Sequence, residues 1–201
     1  MAAESQKQPP LALKLQERFP QHVMAMHGYR GQQTALIHRE GLLEVARFLR
    51  DDPGMAFDFL IDLTCVDYLR FGRMQQSAPT LATPSPLPYS MKPKPMTETW
   101  QRLVSNDEYR FEGVYHFYSS IHNHRLRLKV PLRAADLNIP SVSGLWATAN
   151  WFEREIWDMF GVTFTGHPNL KRILMYEGFQ GHPLRKDYPV RKRQPLIGPL
   201  N

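Results

Sequence analysis

The alternation of apolar and polar positions divides the chain into short elements. Leu11, Leu15 and Phe19 recur at four-residue spacing, which predicts a short amphipathic helix stopped by Pro20. Residues 22–30 and 34–38 read as two strands joined by a turn at Gly31-Gln32-Gln33. Over residues 41–50, Leu42, Val45, Ala46 and Leu49 share one face of a second helix, and Asp51-Asp52-Pro53-Gly54 ends it. Residues 56–69 form an apolar run that predicts a buried strand. Residues 109–121 and 125–132 alternate, with a hairpin turn at His122-Asn123-His124. In the second run Leu126, Leu128 and Val130 share one face, and Arg125, Arg127 and Lys129 the other. A last helix is predicted from Ser141 or Ser143, either one its N-cap, to Phe160, with a kink near Asn150. Leu145, Ala149, Phe152, Ile156 and Met159 form its apolar stripe, and Gly161 stops it.

This order predicts an α+β fold: a small, mainly antiparallel sheet with helices on one face, followed by an extended irregular C-terminal arm. Two stretches break the pattern. Residues 72–100 carry Pro79, Pro84, Pro86, Pro88, Pro93 and Pro95 among Ser, Thr, Gln and Lys, and read as a loop or insertion. Residues 162–201 hold no long helix and few strand signals, yet keep Phe164, Leu170, Ile173, Leu174, Met175, Tyr176, Phe179 and Tyr188. A solvated tail would not retain so many large apolar groups, so this arm is expected to bury them on a partner's surface. The expected division is an α+β domain over 1–161 with the Pro-rich insertion at about 72–100, then a partner-binding arm over 162–201.

Composition narrows the function. The 201 residues suit one domain plus an appendage, and 42% hydrophobic content supports a core. The net charge of +6 and isoelectric point near 9.5 suit an anionic partner, although 19 acidic residues keep the excess modest. A single cysteine excludes an internal disulfide and any Cys-rich zinc or iron–sulfur motif. Cys65 sits in an apolar run and reads as a buried thiol. The start lacks the features of a signal peptide, and no run approaches the ~20 apolar residues of a membrane span. The chain is expected to be soluble, or held at a membrane by other proteins.

Chemistry-bearing residues concentrate between Trp151 and Pro189. Glu153, Arg154, Glu155 and Asp158 lie within two helical turns, where spacing lets Arg154 pair with Asp158 and sets Glu155 and Asp158 on one face. Glu153 points elsewhere, beside Trp157. Paired carboxylates raise a hydrolase reading, but these alternate with Arg and aromatics, so an ion-pair network fits them better. Gly166-His167-Pro168 and Gly181-His182-Pro183 repeat one tripeptide, each followed by basic residues, Lys171-Arg172 and Arg185-Lys186. The histidines lack metal-ligand spacing and read as turn-locking groups that bond the backbone. Arg172, Arg185 and Lys186 are expected to make charged contacts with a partner. A basic RNA-binding module using Arg185-Lys186 and Arg191-Lys192-Arg193 is the rival from another class, without any glycine–aromatic RNA motif.

This stretch resembles the signature of the thirty-kilodalton (C) subunit family of respiratory complex I, the proton-pumping NADH:quinone oxidoreductase. The resemblance runs through Glu153-Arg154-Glu155, Asp158-Met159-Phe160-Gly161, Phe164, Gly166-His167-Pro168, Leu170, Arg172-Ile173-Leu174 and Gly181-His182-Pro183-Leu184-Arg185-Lys186-Asp187-Tyr188-Pro189. Leu63-Thr64-Cys65-Val66-Asp67-Tyr68 and Ala149-Asn150-Trp151 fit more loosely, and the insertion is longer than most members carry. The resemblance implies a non-catalytic subunit of the peripheral arm, on the cytoplasmic side of the membrane or the matrix side in mitochondria. It implies flavin, iron–sulfur clusters and quinone held by other subunits and none by this chain. It implies that the C-terminal arm clasps the larger quinone-chamber subunit.

Overall fold

The computed structural model describes residues 10–69 and 109–195. The Pro-rich insertion predicted at 72–100 lies outside the described residues, and so does the end of the arm.

Five strands make the main sheet: β1 (Val23–Tyr29), β2 (Gln32–Ile37), β3 (Phe59–Asp67), β4 (Phe111–Ser119) and β5 (His124–Leu132), in the order β1-β2-β5-β4-β3. Neighbours are antiparallel except β2 and β5, which run parallel. A second, two-stranded parallel sheet pairs β6 (Asn138–Pro140) with β7 (Thr163–Thr165). Three α-helices occur among the described residues, α1 (Pro10–Arg18), α2 (Leu42–Asp51) and α3 (Ala149–Phe160), with a short 3-10 turn at Arg39–Gly41 before α2.

The alternation along β5 sends Leu126, Leu128, Val130 and Leu132 into the core and turns Arg125, Arg127 and Lys129 to the opposite face. Leu11, Leu15 and Phe19 of α1, the stripe of α2, and Ala149 and Ile156 of α3 join the same apolar cluster. All three helices therefore pack on one face, as the pattern predicts. The β1–β2 turn is tighter than expected, because Arg30 and Gly31 both take positive φ and Gln32 already lies in β2. The β4–β5 turn is tied down by its histidines, with His122 on the carbonyl of Pro53 and His124 on that of Met55.

The last helix is shorter than predicted. It starts at Ala149, with Thr148 in the cap position, and residues 141–147 form turns instead. Neither Ser141 nor Ser143 caps it. Glu153 reaches back from the first helical turns to accept from the Val142 amide at 2.7 Å and the Ser141 hydroxyl at 2.5 Å. That carboxylate holds the turn before the helix and not the helix's own first amides, two of which, those of Ala149 and Asn150, bond the carbonyls of Trp146 and Ala147, so the feature near Asn150 is a start and not a kink.

Candidate functional site

The site is the C-terminal end of α3 and the arm folded over it. Any helix leaves its last four carbonyls without intrahelical donors. Here each has one. The Gly161 amide bonds the Trp157 carbonyl at 2.9 Å, and the Leu184 amide that of Met159 at 3.1 Å. His182 Nδ1 donates to the Asp158 carbonyl at 3.0 Å, and Arg185 Nε to that of Phe160 at 2.5 Å. The motif Gly181-His182-Pro183-Leu184-Arg185 is thus a capping device, and its arginine also suits the negative end of the helix dipole. Gly161 is required twice over. Its φ of +76° is left-handed, and a Cβ there would stand 2.6 Å from both His182 and Arg185.

Asp158 fixes the middle of the arm. Its Oδ2 accepts from the amides of Ile173, Leu174 and Met175 at 2.9–3.1 Å, and its Oδ1 from Arg172 at 2.5 Å. Burial alone would raise its pKa, but the three amides and the guanidinium outweigh burial and hold the carboxyl below its ordinary range. Arg172 also donates to the carbonyls of Phe179 and Gly181. The expected pair of Arg154 with Asp158 does not form. Arg154 lies over the Trp151 ring and donates to the carbonyls of Lys171 and Arg172. Glu155 is exposed while Asp158 is buried, so the two do not share an environment.

Glu153 is fully buried at the other end of the site. It points to Ser141 and Val142, not beside Trp157. His167 Nδ1 accepts the Asn169 amide, so its Nε2 carries the proton and donates to the Asn150 carbonyl at 3.2 Å, with Glu153 4.0 Å away. Burial pushes Glu153 up to about 7 against the pull of Ser141 and the amides of Val142 and Ser143. Both Gly-His-Pro histidines therefore lock turns by bonding backbone, as their spacing suggests. Among the described residues, no group of three or more His, Cys, Asp or Glu gathers as metal ligands.

A junction that motif reading missed ties the arm to the sheet. Asp67, at the end of β3, accepts two bonds from Arg110 at 2.7 and 2.9 Å and one from the Lys186 amide at 2.8 Å. Arg110 also bonds Asp187 at 2.9 Å. The signal was available, because Leu63, Cys65 and Asp67 alternate onto the core side of one strand, and a carboxylate there needs partners.

The structure places the predicted site residues at three places: the C-terminal end of α3, its first turns, and the end of β3. It brings Asp158 together with Arg172, His182 and Arg185, and Asp67 with Lys186 and Asp187. Glu153 and His167 form a separate pair; Pro168, Gly166 and Glu155 lie exposed. Arg172 and Arg185, expected to reach for a partner, are spent within the chain; Lys186 contributes its amide and leaves its side chain exposed. The arm turns outward three large apolar side chains, Leu174, Leu184 and Val190, among exposed charges that include Lys171, Glu177, Lys186 and Arg191; Trp151 of α3 is exposed as well. The carboxylates of Glu153 and Asp158 are bonded to separate partners and do not converge as the paired acids of the hydrolase reading would. Val162 and Phe164 lie in the core, so the first residues of the arm complete the domain.

The densest motif of this α+β domain caps the domain's own last helix, and comparison identifies the family. Residues 35–194 match the family described as respiratory-chain NADH dehydrogenase, 30 Kd subunit, and the chain belongs to that family. It is 38% identical over 191 residues to the C subunit of NADH-quinone oxidoreductase from Citrifermentans bemidjiense, covering 94% of this chain and 95% of that protein. The same-named protein of Rhodobacter capsulatus is 37% identical over 186 residues, covering 92% of this chain and 75% of the relative. Among solved structures, the trypsin-resistant fragment (1-134) of Nqo5 superposes with a TM-score of 0.54 at 26% identity, covering 80% of this chain and 98% of the fragment. A chain of the archaeal membrane-bound sulfane sulfur reductase shares the fold at a TM-score of 0.58 and 17% identity, covering 90% of this chain and 85% of that one. No helix among the described residues is long and apolar enough to cross a membrane.

Proposed function

We propose that this component of NADH-quinone oxidoreductase holds no redox group and braces the larger quinone-chamber subunit through its arm. Electrons pass from NADH through flavin and iron–sulfur centres of other subunits to quinone, with proton translocation performed by the whole complex. The chain sits on the cytoplasmic side of the membrane, held there by its partners. The observation that carries the reading is the arm's construction. Arg172, His182, Arg185 and several backbone amides fasten it to α3 and β3, while Leu174, Leu184 and Val190 are exposed, as is Trp151 of α3. A rigid irregular segment that presents large apolar side chains is suited to a permanent partner. The lone thiol supports the reading that clusters are held elsewhere, since one cysteine does not supply the set of thiolates that holds an iron–sulfur cluster.

The test is recovery of the chain with its complex from native membranes. Leu174→Asp with Leu184→Asp alters exposed positions only, so the chain folds, and we expect its share in the complex to fall by at least about tenfold. Normal incorporation of this variant would show that the arm is not the clasp. The RNA-binding rival has no observation in its favour.

A further inference from the structure

The face of the sheet opposite the helices carries a row of charge that neither the helix cap nor the arm uses. Strand register sets Asp62, His116, Arg127, Thr34 and His27 side by side across β3, β4, β5, β2 and β1. Arg125 lies two residues from Arg127 on the same strand and face. Glu112, an acid on the same face of β4, bonds Lys129 through Oε1 at 2.8 Å and feels the Arg127 charge, while its Oε2 has no hydrogen-bond partner among the described residues. Arg127 reaches only Gln32, at 3.4 Å, and its Nε is buried with no acceptor among the described residues. Arg125 rests over the Tyr118 ring, 5.6 Å from its centre. Burial lowers the pKa of both His27 and His116, and Arg127 and Lys129 lower them further, Asp62 alone pulling His116 the other way. An open cleft of about 300 Å³ crosses this row, lined by Arg125, Arg127, His116, Asp62, Gln32 and Ile61.

A desolvated guanidinium edge without an acceptor is a costly arrangement to keep for packing alone. Its planar fork matches a carboxylate. The cleft also contains a carboxylate of its own, and its cations without an acid partner are few, which disfavours a polyphosphate backbone that must be neutralised at many points. Ile61 and Phe59 stand exposed along the β3 edge of the row and offer an apolar flank. We propose that this row seats a carboxylate from an acidic segment of a neighbouring protein subunit, with Arg127 and Arg125 taking the carboxylate and Ile61 an adjoining apolar side chain. The proposal rests on the chain being part of a multisubunit complex, but it concerns a face away from the arm.

The experiment places an amine where the guanidinium stands. Arg127→Lys is assembled into the complex, treated with a zero-length carbodiimide, and mapped by mass spectrometry. The expected product joins position 127 to an Asp or Glu of another subunit. A product that joins it only to Asp62 or another acid of this chain, or no product at all, overturns the proposal. In parallel, Arg127→Glu should lower recovery of the chain with the complex at least about fivefold through like-charge repulsion. The purified full-length variant should melt within a few degrees of wild type, because Arg127 makes no salt bridge among the described residues and acts on Glu112 only at a distance, with Lys129 as that acid's bonded partner. Unchanged recovery of this variant likewise overturns it. If even the wild-type chain failed to co-purify with other subunits, the underlying functional reading would fall instead, so the two failures are distinguishable.

Discussion

Glu153 is the residue whose chemistry departs most from what its sequence context suggests. It stands four residues after Ala149 and three before Ile156, on the buried side of α3, and its side chain is fully enclosed. Its folded pKa of about 7 lies above the ordinary 4.5, so the ionised form is disfavoured in the folded state by on the order of 3 kcal/mol. The sign follows from the raised value. The stability this group contributes is complete below about 4.5 and is lost as pH rises through about 7. Glu153→Gln keeps an acceptor for the Val142 amide and cannot ionise. Urea melts of the full chain should therefore show little difference between wild type and variant at pH 5, and a variant more stable by about 2 kcal/mol at pH 8. Equal midpoints at pH 8 would mean that Glu153 is ionised without penalty.

At the scale of elements, the end of α3 concentrates the sequence signature into one structural task. Gly161 and Gly166 both take positive φ, but only Gly161 lies under the cap. Gly166→Ala should cost about 1 kcal/mol, the conformational term alone, since nothing lies within 4 Å of a Cβ there. Gly161→Ala should cost about 3 kcal/mol, because His182 and Arg185 must also leave their carbonyls. Thermal melts of the two variants compare them directly, and equal losses would refute the cap. Local periodicity was a sound guide wherever burial has a period: α2 and β5 follow their stripe and alternation, whereas β4 buries five consecutive residues, Phe111 to Tyr115, between its neighbours. It placed the start of α3 too early, because residues 141–147 form turns, one of them held by Glu153 eleven residues downstream of Val142. It also could not tell whose surface the arm covers. Pro183 and Gly181 announce a turn, but the carbonyls that His182 and Arg185 meet lie 24 and 25 residues away. Contacts at such separations leave no periodic trace in a single sequence.

Over the whole molecule, Asp67 and Arg110 join what would otherwise be two bodies. They stand at facing ends of β3 and β4, where the Tyr68 amide bonds the Arg110 carbonyl, and the second Gly-His-Pro segment closes on them through Lys186 and Asp187. The Asp67 side chain is wholly enclosed and that of Arg110 nearly so. Burial would raise the Asp67 pKa, but Arg110 and the amides of Lys186 and Leu69 hold it below its ordinary range. Asp67→Asn removes the charge that Arg110 needs and leaves Asp187 as that arginine's remaining acid partner, which is half exposed. A loss of about 2–3 kcal/mol is expected, and it should fall mainly on the arm, because the sheet keeps its ladder and its core. Trypsin reads this out at the Lys186–Asp187 bond, whose cleavage requires the arm to lift from the junction. When opening and reclosing are fast, the cleavage rate follows the open population, and about 2–3 kcal/mol corresponds to roughly 30- to 150-fold. The variant should be cut there faster by that order, while amide exchange along β4 and β5 stays slow. Cleavage at the wild-type rate would mean that the cap on α3 alone holds the arm, with Asp67 serving only the strand ends.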